Sequence, residues 1–201
     1  MIRNSPRPTR ADLSAALLTI AGALGVVCFV SAQQDPGKNP TTEYDLKAHF
    51  LCLVPGYVTA WPANLKVDGS KAIVIGVLGE DPFGDKLDKA AEARSKKGSP
   101  ITVLRFATVG DFKPCHILFI GPQSGKNEGA LQSLREWQQK TPRPWPILVS
   151  DSEELAREGI HVYVFLQADR RLAFTVNLEM VRQSEIRFDP NFLSLSKPLP
   201  R

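Results

Sequence analysis

Cysteine and histidine are scarce: the chain of 201 residues has three of each. That is too few for a disulfide-dense scaffold or a four-cysteine zinc module. His49, His116 and His161 show no metal-ligand spacing, and no G-x-S-x-G elbow marks a serine hydrolase. Charge of one sign is missing too. Lys and Arg number 25 against 21 Asp and Glu, a net charge of +4. Three of the basic residues, Arg3, Arg7 and Arg10, stand near the N-terminus beside Asp12; beyond Ala32 the balance is 22 to 20. So even a balance leaves no electrostatic footprint for nucleic acid. Fourteen Gly and sixteen Pro follow no period, which excludes collagen-like and most low-complexity chains. What remains is ordinary globular composition, of a length that suits one domain.

The N-terminal half of that excess charge has a reading of its own. Residues 1–12 are basic, residues 13–32 (LSAALLTIAGALGVVCFVSA) carry no charge, and QQDPGKNPTTE turns polar at once. A basic start, an apolar run and small residues at the exit describe a secretory signal peptide, residues 1–32, with cleavage after Ala32. The competing reading is an uncleaved anchor, since the run approaches the roughly twenty apolar residues that span a bilayer. After cleavage the chain is not membrane-embedded and folds in an oxidising space, the periplasm, with Cys52 and Cys115 as its thiols. Residues 33–42 are a flexible tether punctuated by Pro36, Gly37 and Pro40.

Past the tether, Thr42 can cap a helix whose apolar residues Leu46, Phe50, Leu53, Val54, Tyr57 and Trp61 form one stripe. Pro55 falls inside it and should kink or divide the helix. Ala72–Gly79 is a β-branched apolar run that reads as a strand buried on both faces. Ile101–Phe106, His116–Ile120 and Pro146–Ser150 read as further strands. Helical segments follow Phe83, Ala130 and Ser152. Ile160–Gln167 and Leu172–Leu178, joined by Ala168-Asp169-Arg170-Arg171, read as a hairpin. A helix near Leu178–Ser184, a short segment at Ile186–Phe188 and a loose tail at 196–201 complete the chain. Strands alternating with helices predict a single Rossmann-like α/β domain, residues 43–195. Its sheet is mostly parallel, flanked by helices, with an antiparallel hairpin at the C-terminal edge.

Ligands of open α/β sheets bind beyond the carboxyl ends of the strands. That rim here presents Glu80, Asp81, Ser124, Ser150 and Asp151. Its three acidic groups disfavour a bare phosphate and suit a hydroxyl- or amine-bearing group. Gly121–Asn127 sits where a P-loop would, but has one residue too few between its glycines and Asn127 where Ser or Thr is required. Gly76, Gly79 and Gly84 lack the G-x-G-x-x-G spacing. Asp85, Asp88 and Glu92 follow helical spacing and read as a solvated face. Cys52 and Cys115 could be bridged or be two buried thiols. No catalytic residue, metal site or cofactor is implied.

Several segments together resemble the YfiR family. They are Leu46–Leu51, Trp61-Pro62, Ile75–Gly84 with its Gly-Glu-Asp-Pro-Phe-Gly stretch, Cys115–Ile120, Ser150-Asp151 and Phe174–Leu178, in the family's order across residues 43–195. The resemblance implies a small exported α/β protein that represses a membrane diguanylate cyclase through the cyclase's periplasmic sensor region. Cyclic di-GMP and biofilm output then stay low. It also implies a possible homodimer. A small-ligand sensor partnering a histidine kinase or outer-membrane receptor is the alternative. The family often has a cysteine where this chain has Gly76, facing Cys115, so a redox staple there is not open to this chain. The contact surface is expected on the exposed residues of the first helix and on Glu80–Gly84, Phe83 included. The export reading has a direct check: intact-mass analysis of the protein from a periplasmic extract should give a chain that begins at Gln33, whereas a membrane-bound chain retaining Met1 would establish the anchor.

Overall fold

The continuous apolar runs become the centre of a six-stranded sheet. A computed structural model describes residues 42–62, 65, 72–96, 98, 100–121, 135, 137–141 and 145–199. Its sheet comprises β2 (Ile73–Leu78), β3 (Ile101–Phe106), β4 (Ile117–Ile120), β5 (Ile147–Ser150), β6 (Val162–Leu166) and β7 (Leu172–Val176), in the order β3-β2-β4-β5-β6-β7. The first five strands run parallel, and β7 returns antiparallel to β6, with Tyr163 opposite Thr175. Every residue of β4 and β5 is buried, as runs without polar alternation require of strands covered on both faces. Outside this sheet, β1 (Val58–Ala60) pairs antiparallel with β8 (Arg187–Phe188).

The helices are short. They are α1 (Glu43–Leu53), α2 (Lys86–Ser95), α3 (Glu153–Glu158), α4 (Leu178–Gln183) and α5 (Pro190–Ser194). Thr42 and Asp45 form a reciprocal capping box at the start of α1. Ser152 caps α3 and Asn177 caps α4. As Pro55 predicts, α1 stops at Leu53 and tightens into a 3-10 turn over Val54–Tyr57. The expected apolar stripe is rotated, however. Lys47, Ala48, Phe50, Leu51 and Cys52 are buried, whereas Leu53 and Tyr57 are 41% and 37% exposed. Periodicity placed Leu53 inside because it counted Lys47 as polar; an internal partner for Lys47 turns the helix instead. The helix read from Ala130 falls mostly outside the described residues; Trp137–Lys140 is helical.

The two sheet faces carry separate cores. Ile75, Val77, Ile117 and Phe119 pack with Leu51 and Leu87 from α1 and α2; Val74, Leu78, Leu118 and Ile120 pack with Leu155 and Trp137. Burying each such side chain contributes about 1.5–3 kcal/mol. Cys52 belongs to the first core and Cys115 to the second, so the sheet stands between the two thiols and both are free. That removes the bridge between them. Phe192 of α5 stacks on Phe174 (4.6 Å), Tyr57 (5.1 Å) and Phe188 (5.2 Å), fastening the chain end to the first core. The tail is not loose as far as Leu199. Lys197 donates its amide to the Phe174 carbonyl (2.8 Å) and Ser196 Oγ accepts the Val176 amide (2.8 Å), which covers part of the outer edge of β7.

Two histidines extend the parallel ladder by the same device. His116 donates its amide to the Val74 carbonyl (2.8 Å) while its ring Nδ1 accepts the Val74 amide (2.9 Å). His161 repeats this with Leu148, both bonds at 3.0 Å. Each ring serves as the carbonyl that the strand start lacks, which requires an unprotonated Nδ1. Burial lowers the His116 pKa below its ordinary 6.5. The unfolded chain therefore binds a proton more readily than the folded one, and this contribution to stability, complete above about pH 6.5, is lost as pH falls towards the folded value. His116→Asn keeps an acceptor near the Nδ1 position but cannot titrate. The urea midpoint of the wild type should drop more between pH 7.5 and 5.5 than that of His116→Asn; equal drops would exclude the assigned role.

Candidate functional site

The carboxyl ends of the parallel strands are built by turns that need particular residues. Beyond β2, Gly79 adopts φ 86°, a conformation that side chains resist. Asp81 then folds the next turn by accepting the Phe83 amide at 2.8 Å. Beyond β4, the backbone at Gly121 lies so close to the Glu80 carbonyl oxygen that any Cβ there would overlap it. Beyond β5, Ser150 Oγ donates to the Ile120 carbonyl (2.7 Å) and accepts the Ser152 amide (3.1 Å), tying adjacent strand ends together.

These turns deliver the sequence-predicted residues to one rim but commit them differently. Phe83 is 1% exposed, its ring edge-on to Tyr44 (5.6 Å) and Phe119 (4.8 Å). Asp81 accepts Arg105 Nε at 2.6 Å, and the same guanidinium reaches Asp88 (2.6 Å) and the Gly84 carbonyl (2.8 Å). Hydrogen bonds to Asp88 first and Asp81 second hold Arg105 still more firmly protonated. Asp88, read as part of a solvated face, is thus also the outer anchor of Arg105. Glu80 is exposed at the edge, Ser150 is fully buried, and Ser124 lies outside the described residues, as does the P-loop-like turn beyond Gly121.

Asp151 makes the most consequential contact. Its Oδ2 accepts Lys47 Nζ at 2.7 Å and the Tyr44 hydroxyl at 3.1 Å. The Lys47 and Asp151 side chains are 3% and 7% exposed. Lys47 also pairs with Glu43 one turn earlier and lies 4.8 Å from the Tyr44 ring centroid. Burial, then the Asp151 carboxylate, pushes the Tyr44 hydroxyl above its ordinary pKa, so it stays a neutral donor. The amine that an acidic rim calls for is supplied by the chain itself. Lys47, Tyr44 and Arg105 were not singled out in the sequence; a lysine at i+4 from Glu43 within the Ala48-Phe50-Leu51 face was the available signal.

Nucleophilic chemistry finds little support here. Burial pushes both the Cys52 and the Cys115 thiol up to about 12, so neither is a thiolate at neutral pH. A Cβ placed on Gly76 would lie 3.2 Å from Cys115 Sγ, in space now filled by the Phe106 ring. Position 76 therefore does face Cys115, and the glycine leaves that thiol without a neighbour to bridge. Among the described residues no three His, Cys, Asp or Glu side chains are grouped to hold a metal ion.

A family model described as YfiR/HmsC-like matches residues 44–197. The chain belongs to the YfiR/HmsC-like family. No curated protein matches it in a sequence search. The match takes in Tyr44, Lys47, the Glu80–Gly84 turn, Asp151 and the Lys197 amide that bonds β7. Membership in the YfiR/HmsC-like family points to a periplasmic regulator of cyclic di-GMP signalling rather than a catalyst. No helix among the described residues is long and apolar enough to cross a membrane. For this YfiR/HmsC-like rim the Lys47–Asp151 pair predicts a particular mutational pattern. Asp151→Ala, which strands a buried ammonium with only the half-exposed Glu43, should destabilise the fold by about 3 kcal/mol in urea unfolding. Replacing both partners, Lys47→Met with Asp151→Leu, should recover most of that loss. A double variant no more stable than Asp151→Ala would show that the pair does something other than neutralise itself.

Proposed function

We propose that this chain is a non-catalytic periplasmic repressor that binds the sensor region of a membrane diguanylate cyclase and holds the enzyme off. The carrying observation is the YfiR/HmsC-like match over 44–197. The strand order supports a Rossmann-like reading of the domain. The way the rim is occupied also favours a binding protein: Asp81 and Asp151 already hold Arg105 and Lys47, so the cleft reading of a ligand sensor through these carboxylates is less well supported.

A repressor of this kind acts by differential affinity. It binds the inactive cyclase better than the active one, and about 1–3 kcal/mol of coupling gives a fivefold to 150-fold shift. The surface we assign to the contact runs along α1, from its C-terminal end, where Leu53 and Tyr57 are exposed, to the Glu80–Gly84 turn that packs on Tyr44 at its N-terminal end. Tyr57 is held by stacking on Phe192, and Phe83, being buried, shapes the turn rather than touching a partner. Exposed apolar side chains on a fixed support suit a protein contact. Deleting the gene should raise cellular cyclic di-GMP, and complementation with wild type should restore it. Leu53→Glu, a surface change expected to alter stability by about 0.5 kcal/mol or less, should fail to restore it. An unchanged nucleotide level in the deletion strain would refute the repressor role, and full complementation by Leu53→Glu would move the contact elsewhere.

A further inference from the structure

On the opposite face of the sheet from Tyr57, a cavity of about 360 Å³ opens between β6, β7 and α3. Its volume lies in the range of small-molecule pockets, about 300–1,000 Å³. Tyr163 and Thr175, directly opposite each other in the β6–β7 ladder, both line it. Ala156 and Ile160 line it from α3 and the entry to β6, and Leu178 and Leu199 from the start of α4 and the C-terminal tail. The lining is therefore chiefly apolar, with two hydroxyl-bearing residues side by side. Thr175 Oγ1 is covered and has no hydrogen-bond partner, an uncommon condition for a buried hydroxyl. One side of the cavity is formed by the C-terminal tail, which Ser196 and Lys197 seat on β7.

Charge narrows the occupant. Burial raises the Tyr163 pKa, so its hydroxyl stays neutral. Among the described residues the lining offers no cationic side chain, so an anion entering the cavity would lose hydration without a partner. A neutral molecule with a short apolar body and one hydroxyl or carbonyl avoids that penalty. We propose that this cavity is a binding site for a small neutral amphiphile of that class, its apolar part against Ile160, Leu178 and Leu199 and its polar end towards Tyr163. The site lies apart from the Leu53–Tyr57 surface, and its existence does not depend on which protein the chain regulates.

The test uses the mature chain and two probes of equal length, 1-hexanol and hexanoate, titrated against its amide NMR spectrum at pH 7.5. Hexanol should give saturable shifts at Tyr163, Thr175, Val176 and Leu178, and intermolecular NOEs to the methyl groups of Ile160 and Leu199. Hexanoate should bind at least tenfold more weakly. Ala156→Phe, which fills the cavity, should weaken hexanol by at least tenfold while leaving shifts elsewhere in place. The NOEs in the wild type decide the site even if that variant does not fold. Absence of saturable hexanol shifts, NOEs to other residues, or hexanoate binding as tight as hexanol would overturn the proposal.

Discussion

A single buried ion pair governs how this chain is put together. Lys47 is placed on the inward face of α1, where an unpaired ammonium would be severely destabilising, and Asp151 stands at the end of β5 to receive it. The pair joins residues more than a hundred positions apart. It sets the rotation of α1, which in turn puts Ala48, Leu51 and Cys52 into the first core and leaves Leu53 and Tyr57 facing out. Tyr44 adds a second bond to the same carboxylate and carries its ring onto Phe83, so the turn after β2 is ordered by the same contact.

The pair also accounts for the character of the rim. In open α/β sheets the strand ends are where ligands are held, because loops there can present side chains to a shared crevice. Here the described part of that crevice is taken up by the chain's own groups. Asp151 holds Lys47, Asp81 holds Arg105, Ser150 clamps the ends of β4 and β5, and the Glu80 backbone carbonyl lies against Gly121. A fold built for carrying ligands becomes one whose strand ends brace a helix.

How far the sequence could be read depended on the range of the interactions. The buried strands were legible because β-branched runs such as Ile73–Leu78 need no distant information to be apolar on both sides. The capping residues Thr42 and Ser152 and the break at Pro55 were legible for the same local reason. The face of α1 was not, since Lys47 counts as polar until Asp151 is known to stand beside it. The fate of Cys52 and Cys115 was equally hidden: only the assembled sheet shows that they lie on opposite sides. The rim itself was found, because a residue following a parallel strand must be at that edge. What each side chain does there was not, because Arg105 and Lys47 reach it from other elements. The stretch at 196–199 illustrates the same limit on a smaller scale, its two bonds to β7 being invisible in a polar tail.

The central claim is that Lys47 and Asp151 fix α1 to the strand ends. Native-state hydrogen exchange, comparing the wild type with Asp151→Asn, measures it most directly. The account predicts that amides of residues 47–53 lose at least tenfold of their protection while those of β4 and β5 lose much less, as a locally released helix would show. Uniform loss across helix and sheet, or unchanged protection in α1, would contradict it.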